Sequence, residues 1–162
     1  MAHLEILVAE YLDWRGYLVK RNVKVGRLAH GGWEGELDVV GYKPDERKIV
    51  HYELSLDASP WSVREARYEK KMKAGRTYIR QALFPWLPED VRIEQIAAFP
   101  TIGQRTTLAG AQLLTVDMVV QEIVVAVTSE GRAASRAISE YYPLLRAIQL
   151  AICGYSHAPK AA

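Results

Sequence analysis

The first pattern in the chain is a stripe of apolar residues with the period of an α-helix. Its members are three or four positions apart, as on the buried face of an amphipathic helix, and comprise Leu4, Leu7, Val8, Tyr11 and Leu12. Gly16 is well placed to end this helix, because glycine tolerates the backbone of a helix C-terminus. One helix is therefore predicted ahead of Gly16.

Three segments with strand-like patterns follow this helix. Apolar residues alternate with polar ones, or β-branched and aromatic residues dominate, in residues 17–25, 35–42 and 48–55. The second and third segments are separated by a short turn, residues 43–46, which contains Pro and Asp. These two strands are therefore predicted to pair as a β-hairpin.

The second half of the chain is predicted to contain one long helix, further strands and two C-terminal helices. The long helix begins after Pro60 and ends before Pro85, and the strands cover residues 91–99 and 112–116. The last helices are predicted over residues 118–128 and 133–153, the second broken or kinked near Pro143. This order predicts a single α/β domain over residues 1–155, with a mixed sheet flanked by helices, and a frayed tail at residues 156–162.

Composition indicates a globular protein of the cytoplasm. Apolar residues make up 49% of the chain, enough for a core, yet its most apolar run, residues 118–127, is interrupted by Gln121 and Glu122, so no membrane span is expected. The single cysteine, Cys153, and the lack of a signal-peptide pattern favour a reducing compartment. Zinc at conventional Cys and His spacing has no ligands here, so any metal is expected to be held by carboxylates.

Positive charge is concentrated in the long helix. The net charge of the chain is only +2, but residues 59–80 contain seven basic and two acidic side chains. Such a surface favours nucleic-acid phosphates, although a charged helix face is often merely solvated. The predicted DNA contacts are Arg64, Arg67, Lys70, Lys73 and Arg76.

Two acidic residues on the predicted hairpin are the candidates for chemistry. Asp38 and Glu53 lie in apolar segments, where acids are unusual, and side-chain alternation allows both to face one side of the sheet. Mg²⁺-dependent hydrolysis of a phosphodiester needs carboxylates that converge in this way. A shared metal ion is favoured over a solvated pair of charges. By the same alternation Glu36 and Val40 share the face of Asp38, and His51 shares the face of Glu53.

These residues resemble, in order and spacing, the motifs of the PD-(D/E)xK nucleases, especially Holliday-junction resolvases and resolvase-like endonucleases. The likeness covers residues 5–78 and rests on three matches: Glu5 followed by Tyr11, Leu12, Gly16 and Tyr17; Gly35, Glu36, Leu37 and Asp38; and Glu53, Leu54 and Ser55. The resemblance implies a restriction-endonuclease-like core, followed here by additional C-terminal helices.

The resemblance also implies an Mg²⁺-dependent DNA endonuclease. Asp38, Glu53 and the peptide carbonyl of Leu54 would bind Mg²⁺ or Mn²⁺, and Glu5 would join them from the first helix. Ser55 stands where the family usually has its catalytic lysine, which some members supply from the next helix; Lys70 and Lys71 are the favoured residues there.

Two other hypotheses remain open at this stage. The chain could be a nuclease-fold protein that has lost catalysis and binds nucleic acid or a protein partner, which the serine at position 55 favours. It could also be an interaction module, in which the apolar run of residues 119–127 contributes to a homodimer surface.

Overall fold

The computed structural model describes residues 2–56 and 59–156, which belong to two compact units, Met1–Asp117 and Met118–Ala162. The predicted tail lies outside the described residues, apart from Ser156. The single domain predicted over residues 1–155 stays a prediction. Within the described ranges no helix is both long and apolar enough to cross a membrane.

The first unit contains the sheet and two helices. In chain order its elements are α1 (Ala2–Trp14), β1 (Leu18–Arg27), β2 (Trp33–Lys43), β3 (Lys48–Leu54), α2 (Trp61–Tyr78), β4 (Arg92–Phe99), β5 (Thr107–Leu108) and β6 (Ala111–Thr115). A π-helical turn, Ile79–Leu83, extends α2. The predicted long helix therefore covers both α2 and this turn, whereas β5 was not predicted.

All six strands form one mixed sheet in the order β1-β2-β3-β4-β6-β5. Strands β1, β2 and β3 are antiparallel neighbours, β3, β4 and β6 run parallel, and β5 is antiparallel to β6. A helical crossover through α2 joins β3 to the parallel strand β4, as parallel pairing requires. The α/β class with a mixed sheet is thereby confirmed.

Helix α2 covers a buried apolar cluster on one face of the sheet. Its members come from β1, β2, β3, α2, the π-helical turn and the segment that connects this turn to β4: Val25, Leu37, Val40, Tyr42, Ile49, Ala74, Ile79, Phe84 and Val91. Burial of this cluster fixes the rotation of α2 about its axis, since a helix must direct its apolar side chains toward the core. The polar residues on the same side of α2 are consequently held at fixed positions above β2 and β3.

The remaining helices are α3 (Val116–Ser129) and α4 (Pro143–Cys153). The predicted helix over residues 133–153 was wrong in its first half, because residues 133–142 form turns and irregular structure. Pro143 starts α4 and does not kink a longer helix. Proline suits this position because the first turn of a helix needs no backbone N–H donor.

A buried glutamine connects α4 to the irregular segment of the second unit. The Gln149 side chain accepts hydrogen bonds from the Ile138 amide at 3.0 Å and from Arg146 Nη1 at 3.2 Å. Its amide nitrogen donates to the carbonyls of Gly131 at 3.0 Å and Arg136 at 2.7 Å. The segment from Gly131 to Ile138 is thereby held through one fully buried side chain.

Replacing Gln149 with leucine is expected to lower the free energy of unfolding by about 2–3 kcal/mol, because buried backbone groups lose their partners. Urea unfolding followed by circular dichroism measures the change. Gln121→Leu, at an exposed position of α3, is the matched control. Equal stabilities of the two variants would show that the hydrogen bonds of Gln149 contribute little.

A carboxylate and lysine cluster between β2, β3 and α2

The β2–β3 hairpin brings the two predicted acids together. Its antiparallel register pairs Val40 with His51 and Val39 with Tyr52, and so continues toward Asp38 and Glu53. The Leu54 amide donates to Asp38 Oδ2 at 2.8 Å, and the Asp38 amide lies 3.4 Å from Glu53 Oε1. Both carboxylates are buried, Glu53 completely.

Lys71 of α2 joins this pair of carboxylates. Its Nζ donates to Asp38 Oδ1 at 3.1 Å and also to Glu53 Oε2. The lysine remains 27% exposed, so the cluster reaches solvent on the side of Lys71. Lys70, the other favoured lysine, is exposed. Of these two neighbours, the rotation of α2 therefore brings Lys71 to the acids.

Ser55, the position at which the family resemblance implies a lysine, is buried. Its hydroxyl is hydrogen-bonded to Tyr68, which is itself buried against Phe99 at a ring-centroid distance of 4.6 Å. The position therefore contributes to packing between β3 and α2. A positive charge reaches the acids from α2 instead.

Burial and mutual charge set the protonation of the cluster. Burial, with the negative charge of Glu53, raises the pKa of Asp38 to about 6. Burial also raises the pKa of Glu53, but the hydrogen bonds from His51 and Lys71 and the positive charge of Lys71 outweigh it, and the net pKa is lowered. Burial lowers the pKa of Lys71, yet Glu53 and Asp38 raise it above its ordinary value. Lys71 is therefore an ammonium that donates hydrogen bonds.

Behind Glu53 lies a polar network that includes His51. The imidazole is fully buried, so a phosphate in solvent cannot reach it. Its Nε2 is 2.9 Å from Glu53 Oε1, and its Nδ1 is 3.0 Å from Gln95 Nε2. Gln95 also donates to the Met72 carbonyl at 2.9 Å and accepts from Arg76 Nη1 at 2.8 Å. Gln95 was not predicted as a site residue, because its only signal in the sequence is a polar side chain in an apolar strand.

A glycine in α2 makes room for this network. A Cβ atom on Gly75 would lie 2.5 Å from His51 Nδ1 and 2.7 Å from Gln95 Nε2. Such distances are far below van der Waals contact, and both neighbouring groups are held by hydrogen bonds. The close approach of α2 to the sheet therefore depends on glycine at this position.

Replacing Gly75 with alanine is expected to destabilise the protein by about 2 kcal/mol, because overpacking of a filled core outweighs the roughly 1 kcal/mol that alanine gains in helix propensity. Urea unfolding measures the change, and Thr77→Ala in the same helix, at an exposed position, controls for propensity. A Gly75→Ala protein as stable as the native chain would contradict the close packing.

Strand β2 departs from regular alternation near Asp38. Where β2 pairs with β1, Val39 lies opposite Arg21 and Leu37 lies opposite Val23. Between these two pairs, Asn22 of β1 has a φ of 52°. Leu37 and Val40 both belong to the cluster beneath α2, as they could not in a regular strand. The prediction that Glu36 shares a face with Val40 was therefore wrong, and Glu36 is exposed.

A shallow cleft between β2 and α2 adjoins the cluster. Glu34, Gly35 and Glu36 line one side, and Ala66, Arg67, Lys70 and Lys71 line the other. The exposed cations Arg67 and Lys70 therefore lie beside the solvent-facing side of the cluster at Lys71. Lys73 is also exposed on α2.

Two other predicted DNA contacts are engaged within the fold. Arg64 is only 5% exposed; its guanidinium lies 5.1 Å from the ring centroids of both Trp61 and Phe99, and it donates to the Thr101 carbonyl. Arg76 donates to Gln95 and to the Ala109 carbonyl at 2.9 Å. Neither guanidinium resembles the freely presented charge that the sequence suggested.

Glu5 is not brought into a three-residue cluster with Asp38 and Glu53. It lies on α1 and is 8% exposed. Among residues 2–56 and 59–156, no three or more His, Cys, Asp and Glu side chains form a group suited to a metal ion. The structure therefore brings two carboxylates together, those of Asp38 and Glu53. Leu54 donates its backbone N–H to Asp38.

Comparison with known proteins gives no relative on which to base a function, since the chain matches no protein-family model and no curated protein sequence.

Proposed function

We propose that the protein is a metal-dependent nuclease with a restriction-endonuclease-like core that hydrolyses DNA phosphodiester bonds. The observation that carries this proposal is the convergence of Asp38, Glu53 and the Lys71 ammonium beside a cleft lined by Arg67 and Lys70. Two acids and a lysine from successive elements are the groups that such hydrolysis requires.

The donor set suits a hard divalent cation. Asp38 and Glu53 already direct one oxygen each toward a single cationic nitrogen, so both can serve one positive centre. Mg²⁺ commonly takes one or two carboxylates from a protein and completes its coordination with water and phosphate oxygens. A bound Mg²⁺ or Mn²⁺ would polarise the phosphate and lower the pKa of a coordinated water. By resemblance, the Leu54 carbonyl is a further proposed ligand.

Each residue of the site would have a separate role in the reaction. Asp38 and Glu53 would bind the ion, and their burial strengthens that interaction because little water screens it. Lys71, held as an ammonium, would orient the attacking water or stabilise negative charge on the phosphate through its N–H groups. Arg67 and Lys70 would contact the DNA backbone along the cleft, with Lys73 farther along α2.

The direct test is cleavage of labelled duplex, branched and single-stranded DNA by the purified chain, with Mg²⁺, with Mn²⁺ and with a chelator. Cleavage is expected only with a divalent ion. DNA binding without any cleavage would support the inactive alternative. A chain that neither binds nor cleaves DNA would reject the proposal. When Arg67 and Lys70 are both replaced by glutamine, the DNA affinity should fall less steeply with increasing salt concentration, because fewer phosphates are neutralised.

The alternative, a nuclease-fold protein that binds nucleic acid or a partner without catalysis, has one observation in its favour. Lys71 bridges both carboxylates, as a purely structural ion pair would also do. Mn²⁺ binding separates the two hypotheses, since a structural ion pair predicts no divalent-ion affinity that depends on Asp38 and Glu53.

A homodimer remains a separate proposal. Exposed apolar side chains of the second unit, Met118, Val125, Leu150 and Ile152, support it. Sedimentation velocity over a range of protein concentrations tests it.

A further inference from the structure

We propose that His51 is a positioning residue: its Nε2–H holds Glu53 Oε1, so that Glu53 Oε2 is directed toward the point shared with Asp38. The inference rests on the proposed function only for its consequence, the binding of a divalent ion. The hydrogen-bond pattern that supports it belongs to the fold itself.

The orientation of Gln95 fixes the tautomer of His51. Arg76 can only donate, so the Gln95 atom it contacts is the carbonyl oxygen. The amide nitrogen of Gln95 then faces the Met72 carbonyl and His51 Nδ1, at 2.9 and 3.0 Å. A donor facing Nδ1 requires a lone pair there. The neutral ring therefore carries its proton on Nε2, directed at Glu53.

This arrangement assigns separate partners to the two oxygens of Glu53. Oε1 accepts from His51 at 2.9 Å and lies 3.4 Å from the Asp38 amide, whereas Oε2 accepts from Lys71. Glu53 is completely buried, so water does not readily replace a lost donor. Without the imidazole, the carboxylate could turn Oε1 away, and Oε2 would no longer be fixed beside Asp38.

The network has the arrangement expected of groups that orient a metal ligand. Partners that hold a ligating carboxylate by hydrogen bonds typically contribute a factor of about 10–100 to metal affinity. Arg76, Gln95 and His51 form a continuous series from the surface to Glu53. Its last member touches the carboxylate and not the cleft, so His51 acts through Glu53.

Mn²⁺ binding, followed by electron paramagnetic resonance, tests the inference without any need for cleavage. His51→Leu removes the donor and is expected to weaken Mn²⁺ binding at least about tenfold. His51→Gln, whose amide nitrogen can occupy the place of Nε2, is expected to restore most of the affinity. Asp38→Asn and Glu53→Gln report whether the ion binds at the proposed site, and thermal unfolding verifies that each variant is folded.

The results distinguish the two proposals. If Glu53→Gln loses Mn²⁺ but His51→Leu binds like the native chain, the positioning role is overturned and the proposed metal site stands. If the native chain binds no Mn²⁺, or Asp38→Asn and Glu53→Gln bind normally, the proposed function fails and the role of His51 fails with it. If His51→Leu weakens binding and His51→Gln restores it, both are supported.

Nitrogen chemical shifts of the ring provide a second readout should His51→Leu not fold. In ¹⁵N-labelled native chain at mildly alkaline pH, Nδ1 is expected to be unprotonated and Nε2 protonated. Gln95→Met removes the donor to Nδ1, so the ring is held less firmly and Mn²⁺ binding is expected to weaken, while the Glu53 carboxylate keeps the proton on Nε2. A native ring protonated on Nδ1, or a Gln95→Met variant with unchanged Mn²⁺ affinity, would overturn the inference.

Discussion

Asp38→Asn is expected to reduce metal-dependent cleavage about a thousandfold or more, since the charge it removes supports an ion that supplies several kcal/mol of transition-state stabilisation. Asparagine preserves the shape of the side chain and can still accept the hydrogen bond that the Leu54 amide gives to Asp38. The charge is the principal property lost. Mn²⁺ affinity should fall together with the cleavage rate.

Unfolding should not account for that loss. Burial and the charge of Glu53 raise the pKa of Asp38 to about 6, so folding disfavours the ionised carboxylate. A carboxyl group with a raised folded-state pKa contributes stability below its unfolded pKa and loses it as the pH rises through about 6. Near neutral pH, a neutral asparagine therefore avoids this cost.

The comparison for Asp38→Asn is Asp45→Asn, which removes the same charge from a side chain that is 73% exposed. Cleavage rates at saturating Mg²⁺ and circular dichroism spectra are measured for both variants. Full activity in Asp38→Asn would reject the metal-dependent mechanism, whereas equal losses in both variants would indicate an effect of net charge.

The pairing of Asp38 with Glu53 was accessible from sequence because it depends on local rules. A short turn and side-chain alternation place two hairpin residues together without knowledge of the rest of the fold. Alternation failed at Glu36 because the irregularity beside Asn22 leaves no clear mark in the sequence. Local pattern therefore located the acids but not every neighbour on their strand.

Contacts made through the parallel part of the sheet were not accessible in this way. Gln95 meets His51 because β4 pairs with β3 after a crossover, and no local signal gives that register. Arg64 was expected on the surface, but Trp61 and Phe99 offer it aromatic rings and Thr101 offers a carbonyl. Its burial is set by tertiary packing, which a count of charges along a helix cannot detect.

The choice between Lys70 and Lys71 depended on the rotation of α2. Adjacent residues on a helix point about 100° apart, so only one of them can face Asp38 and Glu53. The apolar contacts of Met72 and Ala74 fix that rotation, but their partners lie on strands far away in sequence. The sequence predicted that a lysine of this helix lies near the acids. Which of the two lysines faces them required the packed structure.

Lys71→Met is expected to lower the cleavage rate at saturating metal and DNA by about a thousandfold, within the range typical of a group that orients or exchanges a proton with the reacting water. Methionine retains much of the aliphatic length but has no N–H donor. Mn²⁺ affinity should be retained or increased, because the ammonium that lies between Asp38 and Glu53 repels a second cation. A large loss of rate with intact metal binding separates this variant from Asp38→Asn.

Two other lysines serve as controls. Lys70→Met should weaken DNA binding, and Lys20→Met, at an exposed position of β1, should leave both the cleavage rate and DNA binding unchanged. If Lys71→Met cleaves at the native rate, Lys71 is only the counter-charge of two buried acids; if Lys70→Met loses the rate instead, the catalytic lysine is its neighbour.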